Sequence, residues 1–454
     1  MNKKLILTEG NISEKLIKLA LPIMGTSFIQ MAYNMVDMIW VGRDGSKSVA
    51  AVGTAGFYPW LAVAFIMISK IGGEVKVAQF IGMHNSTETK KYIKSSLELN
   101  ILLAILYSLI MLIFNKQLIE LFKIDDIEVI SMSRNYLIIV SIGMIFTFLN
   151  PLFTAIFNGM GNSKTPFIIN TCGLCINIIL DPLLIFGFYI IPPLGVSGAA
   201  IATVFAQIVV TLIFIISILK SRDPLFKVKL FRNIDWDHYK ELIKIGLPLA
   251  VQNGLFTIFS MMMGIIVASF GSVAIAVQKV GSQIESISWM SADGIAAALA
   301  TFVAQNYGAE KYDRIHKGIK DGIITALIWG VFTSSILIFF NKGLFSLFIN
   351  EQDAILKGSE YLKILGFSQV FMCIEIIIGG IFKGFSKTFV PSAISIIFTG
   401  ARIPLAYILS SPEYLGLKGI WWSLSISSIV KGILLLIIFI IMYKYNKIIN
   451  SDLS

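Results

Sequence analysis

Apolar runs of roughly 20 residues recur along almost the whole chain. A run of that length is what one α-helix needs to cross a bilayer. The runs fall at 15–42, 49–82, 92–115, 132–158, 165–190 and 195–219, then 241–269, 272–307, 316–341, 357–383, 389–411 and 417–444. The expected fold class is all-α integral membrane, with roughly twelve spans. Composition agrees: 14% of the 454 residues are charged, against about 25% in a soluble protein.

The net charge is +10, and placement decides what it means. Basic residues gather in alternate loops, as the positive-inside rule requires. One set holds Lys3 and Lys4, Lys90, Lys91 and Lys94, and then Lys220, Arg222, Lys227, Lys229 and Arg232. It goes on through Lys311, Arg314, Lys317 and Lys320, Lys383 and Lys387, and Lys444 and Lys447. The other set is poorer in bases and carries Asp125, Asp126 and Glu128. This arrangement excludes nucleic acid as the partner. It predicts a multi-pass plasma-membrane protein, in contact with lipid, with both termini in the cytoplasm.

The chain also repeats itself. LIKLALPI (Leu16 to Ile23) returns as LIKIGLPL (Leu242 to Leu249), 226 residues on. VAQ at 77–79 returns at 303–305 with the same shift. FNGMGNSKTP (Phe157 to Pro166) matches FKGFSKTFVP (Phe382 to Pro391) at 225, and LGVSG (Leu194 to Gly198) matches LGLKG (Leu415 to Gly419) at 221. Two homologous six-helix bundles follow, 1–219 and 241–454, joined by a basic cytoplasmic linker at 220–240. An even number of spans per half gives the repeats the same orientation. Such a pair can expose one site to either side by rocking, which is a transporter's architecture; a monomer is the expected form.

An ionisable group inside a span is a functional candidate by default. Asp181 sits in such a run, with Asn177 one turn earlier on the same face and Pro182 directly after it. Pro182 removes a helical hydrogen bond and is expected to kink the helix beside the charge. Asp37 has Tyr33 and Asn34 on its face. Thr203 adds a hydroxyl, and hard oxygen ligands suit Na⁺ as well as a proton. Glu285, Trp289 and Asp293 lie four apart, an acid–aromatic–acid stripe fit for an organic cation. Glu375 and Arg402 complete the substrate-binding candidates. Glu375 aligns with Asn150, Asp37 with Met263, and Arg402 with Asp181 or Asn177 depending on the shift.

Other chemistry finds little support. Cys172 and Cys175 form a CxxC inside an apolar run with no further ligands, so they read as packing residues, not a metal site. Clustered acidic motifs for a diphosphate-handling enzyme are absent. GMGNSKT lacks the phosphate-loop spacing, so energy is expected from an H⁺ or Na⁺ gradient, with no cofactor.

Taken together, several stretches resemble the multidrug and toxic compound extrusion (MATE) transporters. They are Asp37 with the VGRDGSKSVAAVG that follows, VAQFIG, VAQNYGA, FNGMGNSKTP, NIILDPLLIFG, LGVSGAAIATVFAQ and RIPLAYIL. The resemblance covers both halves. It implies a two-lobed antiporter exporting organic, often cationic, drug-like compounds against H⁺ or Na⁺ influx. It also implies ion coupling at Asp37, Asn177 and Asp181. The seventh span, QNGLFTIFSMMMG, lacks the acid that one branch of the family carries there. The rival expectation is a lipid-linked oligosaccharide flippase of the same superfamily, for which Arg402 and Lys70 would be working cations.

Overall fold

The computed structural model describes residues 5–189, 192–232, 234–349, 351–411 and 413–445. Lys3, Lys4 and Lys447, cited above for the orientation of the termini, lie outside these residues. The chain divides into two compact units. One comprises Leu21–Ala250 with the residues up to Leu7, and the other Thr8–Ala20 with the residues from Val251.

The first half runs α1 (Ile12–Asp44), α2 (Ser46–Ala55), α3 (Phe57–Gly82), α4 (Ser86–Ile113), α5 (Asn115–Glu120), α6 (Ile127–Ile142), α7 (Met144–Gly159), α8 (Lys164–Ile185) and α9 (Gly195–Ser221). The second runs α10 (Trp236–Ala268), α11 (Ser272–Gly308), α12 (Tyr312–Phe339), α13 (Asn341–Ser346), α14 (Gln352–Gly366), α15 (Gln369–Gly384), α16 (Phe389–Leu409) and α17 (Leu417–Lys444). The repeat seen in the sequence is a repeat of helices. α2 with α3 spans the same 37 residues as α11, and α4 and α12 start 226 residues apart.

Ten helical segments among the described residues are long and apolar enough to cross a membrane. The expected spans 132–158 and 357–383 are each a bent pair instead of one rod: α6 meets α7 at 51°, and α14 meets α15 at 50°. Counting each pair as one span gives twelve. The first bend falls at Gly143, whose position against Val204 leaves no room for a side chain.

Helix ends follow local chemistry. Asn85 caps α4 by accepting from Glu88 N at 3.1 Å, and Asp126 caps α6 by accepting from Glu128 N at 2.9 Å. Both use short side-chain oxygens to satisfy orphan amides. Inside unit 1, Tyr58, Leu137, Met144 and Phe148 share one buried cluster. Inside unit 2, Phe345, Tyr361 and Trp421 share another. Apolar side chains such as Phe205, Leu212, Ile216 and Leu219 of α9 point outward, as a lipid-facing surface requires.

The linker is bound down, not loose. Phe231 N donates to Glu98 Oε1, Tyr239 Oη donates to Glu98 Oε2 at 2.7 Å, and Lys94 Nζ donates to Arg232 O at 2.6 Å. Lys76 pairs with Glu241 at 2.7 Å, and His238 lies 2.9 Å from Glu88. All belong to unit 1.

Candidate functional site

The site begins where α8 meets α9. Gly198 sits so close to α8 that a Cβ there would fall 2.3 Å from Leu184 O. Ala199 and Ala202 are buried beside it. Small residues thus let two helices touch along their backbones. α8 is one continuous helix through Pro182 to Ile185. Pro182 has no N–H, so the Ile178 carbonyl, four residues back, loses its helical donor.

On this scaffold the polar residues of unit 1 converge. Asn177 and Asp181 are fully buried, and Asn177 Nδ2 donates to Asp181 Oδ1 at 3.1 Å. α1 brings Asp37 alongside both. Thr203 Oγ1, from α9, donates to Asp37 Oδ2 at 3.4 Å. Tyr33 Oη donates to the Thr203 carbonyl at the same distance, 3.4 Å. Five of the residues singled out in the sequence therefore meet, from three helices.

What the cluster lacks is donors. Asp37 Oδ1, Asp181 Oδ2 and Asn177 Oδ1 are buried with no hydrogen-bond partner. Among the described residues neither carboxylate touches a lysine or arginine; their neighbours are Asn177, Thr203, Tyr33 and Tyr136. Two carboxyl groups brought together in a dry site require a proton or a cation between them. The arrangement has the chemistry to take up a proton or a small cation. Among the described residues no three or more His, Cys, Asp or Glu side chains come together to hold a metal ion.

Unit 2 holds a different set. Glu285 accepts from Gln369 Nε2 at 3.2 Å, while Glu375 pairs with Lys431 at 2.9 Å. Arg402 donates to Ser427 Oγ and to Ser428 Oγ, the latter at 3.0 Å. Trp289 and Asp293 are exposed on α11, and Asn34 is exposed on α1, apart from the cluster.

Two residues of these sites are missing from the sequence reading. Tyr136 reaches the acidic pair from α6; nothing in its local sequence signals that its side chain turns inward. Lys431, by contrast, is a lone base in an apolar run, and the argument that flags membrane acids flags it equally.

Ten to twelve helical spans among the described residues, in two like halves, with a buried cluster of two carboxyl groups and an amide in the first, define a polytopic membrane protein of transporter type. The MatE family model matches residues 22–183 and 248–408, one copy in each half. The chain belongs to the MatE family, whose members are transporters and not enzymes. It is 29% identical over 433 residues to the probable multidrug resistance protein NorM of Thermotoga maritima, covering 94% of this chain and 92% of that one. It is 30% identical over 408 residues to the probable multidrug resistance protein YoeA of Bacillus subtilis, covering 88% and 87%. Among solved structures it superposes on the outward-facing conformation of a multidrug resistance MATE family transporter of the MOP superfamily. That match has TM-score 0.89 and 21% identity, over 99% of this chain and 100% of the other. A MOP superfamily transporter from Pyrococcus furiosus gives 0.89 at 22%, over 98% and 100%.

Proposed function

We propose that this protein is a secondary active efflux transporter. It exports organic, cationic, drug-like compounds from the cell in exchange for entering H⁺ or Na⁺. The single observation that carries the coupling is the cluster of Asp37, Asn177 and Asp181, with three buried oxygens lacking any donor. The substrate class rests on the multidrug-resistance naming of the relatives. The acid–aromatic stripe of Glu285, Trp289 and Asp293 offers the charge and ring that such compounds need.

The coupling step belongs to the unit 1 residues. A proton or Na⁺ cancels the charge of the carboxyl pair, with Asn177 and Thr203 fixing which oxygens face it. Losing that charge changes how α1, α8 and α9 pack around Pro182. Coupling then follows because the ion binds the two conformations of the lobes, 1–219 and 241–454, unequally; equal binding would shift nothing. The protein works as a monomer in the plasma membrane with both termini in the cytoplasm, an orientation supported by the alternation of basic loops. The flippase alternative needs free cations at depth, and Arg402 already bonds Ser427 and Ser428.

The test is purified protein in proteoliposomes loaded with a fluorescent organic cation, with H⁺ and Na⁺ gradients imposed in turn. Ion-driven flux in wild type that vanishes in a folded Asp181→Asn supports the reading and names the ion. Equal flux in the variant sinks it.

A further inference from the structure

The two units use the same helices to hold opposite charge balances. In unit 1, Asn150 of α7 donates to Gln207 Oε1 of α9 at 2.6 Å and accepts from Thr211 Oγ1 at 2.7 Å. The aligned position on α15, 225 residues on, is Glu375. It takes its partner from α17, the counterpart of α9, and the partner is Lys431, 2.9 Å away. A neutral amide pair in one unit is thus an acid–base pair in the other.

The exchange goes further. Where unit 1 has Asn177 or Asp181, unit 2 has Arg402, and Asp37 is matched by the buried Met263. Arg402 lies within Coulombic reach of both Glu375 and Glu285, and Lys431 within reach of Arg402. Lys431 is only 6% exposed. Among the described residues, the titratable groups that act on Arg402 and Lys431 are Glu375, Glu285 and the Tyr361 hydroxyl, besides each other. A buried charge persists only when it is paired; here Glu375 is paired with Lys431, and Glu285 accepts from Gln369 with Arg402 at longer range. Among the described residues of unit 1, Asp37 and Asp181 have no base beside them.

We infer that Lys431 and Arg402 are tethered cations standing where unit 2 would otherwise take a mobile one, so that this chain couples transport to a single ion, bound in unit 1. The inference rests on the proposed antiport. It makes Glu375 part of a charge-compensated support, not a binding residue for the organic cation. Lys431 is the positioning residue that keeps Glu375 satisfied through the cycle.

The experiment measures ions per transported molecule. Proteoliposomes with the membrane potential clamped carry ethidium as probe, and the ethidium ratio at which net flux reverses is read against the imposed ion ratio. With one coupling ion, a gradient of about tenfold balances an ethidium gradient of about tenfold; with two, it balances about a hundredfold. The single-ion dependence is expected in wild type and in the balanced double variant Glu375→Gln/Lys431→Met. Lys431→Ala alone is expected to lose flux roughly tenfold or more and to regain it when millimolar ethylammonium supplies the missing cation. Wild type gets no benefit from the added amine. A two-ion dependence in wild type overturns the inference, as does a changed dependence in the double variant. So does a folded Lys431→Ala that ethylammonium leaves inactive. If wild type shows no ion-driven flux, or Asp181→Asn keeps it, the failure belongs to the unit 1 coupling assignment instead.

Discussion

Asn177 gives its amide nitrogen to Asp181, one helical turn on and 3.1 Å away, and its own carbonyl oxygen is left buried with nothing to accept from. The amide thus fixes one carboxylate oxygen and adds a third free acceptor to the cluster. Asn177→Leu removes the donor and the acceptor together. A buried oxygen deprived of its partner costs about 1–3 kcal/mol. Ion-driven flux should fall roughly tenfold or more on that scale, with melting lowered slightly. Gradient-driven efflux beside a thermal melt separates the two effects, and unchanged flux would remove Asn177 from the site.

Gly198 is where α8 and α9 touch. Any Cβ there meets the Leu184 carbonyl at 2.3 Å, a backbone atom that cannot swing away. Gly198→Val must separate the helices, moving Asp181 relative to Thr203. The overpacking should cost about 1–3 kcal/mol. We expect a lower melting temperature and a loss of coupled flux out of proportion to it. Gly53, with open space around its Cβ position, serves as the control: Gly53→Ala should leave both unchanged.

Much of this was legible in the sequence, for physical reasons. Length and apolarity define spans because the bilayer has a fixed thickness, so α1, α9 and α17 fall close to the expected boundaries. Asp37, Asn177 and Asp181 stand out because charge and amide at depth are costly. The bends at α6–α7 and α14–α15 stayed hidden. The first falls where Gly143 packs against Val204 and the second beside Gly366, which packs against Ile338; these are contacts in space that no local pattern encodes. The linker hid its order likewise. Its basic residues describe a solvated loop, while Glu98, which holds it, lies 133 residues from Phe231 in sequence.

That tether can be cut. Glu98 is fully buried and serves the Phe231 amide and the Tyr239 hydroxyl at once. Glu98→Ala leaves both donors unpaired, at about 1–3 kcal/mol each. The linker should then be cleaved faster in limited proteolysis, chiefly around 224–235, while α8 and α9 stay protected. Equal cleavage of variant and wild type would show that the side-chain bonds do not hold the strap.

Asp126 carries a pH dependence outside the membrane. Lys47 bonds it at 3.1 Å and holds its carboxyl below the usual carboxylate range, and the α6 amides of Glu128 and Val129 add to this. The folded value lies below the unfolded one. Its contribution is therefore present above the unfolded value of about 3.9 and lost as pH falls through the folded one. Asparagine caps a helix about as well as aspartate, so Asp126→Asn isolates the charge. Wild type should melt slightly higher than the variant at pH 7, and the gap should close in acid below pH of about 4. Added salt should shrink it, because the pair is exposed. A gap constant from pH 7 to pH 3 would refute the assignment.

The Glu375–Lys431 pair separates two meanings of a buried charge. If the pair existed only to stabilise unit 2, replacing it with neutral groups of similar size would cost stability. Buried ion pairs do not generally behave that way, since desolvation offsets their attraction. What is expensive is a half-pair. Lys431→Met strands the Glu375 carboxylate, leaving only Ser395 Oγ at 3.4 Å and the more distant Arg402. The expected cost is about 3–5 kcal/mol. Adding Glu375→Gln should return most of it, because a glutamine can accept from Ser395 without carrying charge. Chemical unfolding in detergent of wild type, both single variants and the double gives the coupling energy directly. A coupling of several kcal/mol, with the double near wild type, marks Lys431 as the cation that Glu375 requires. A double variant as unstable as the worse single would mean that the side chains act through packing, and that their charge is incidental.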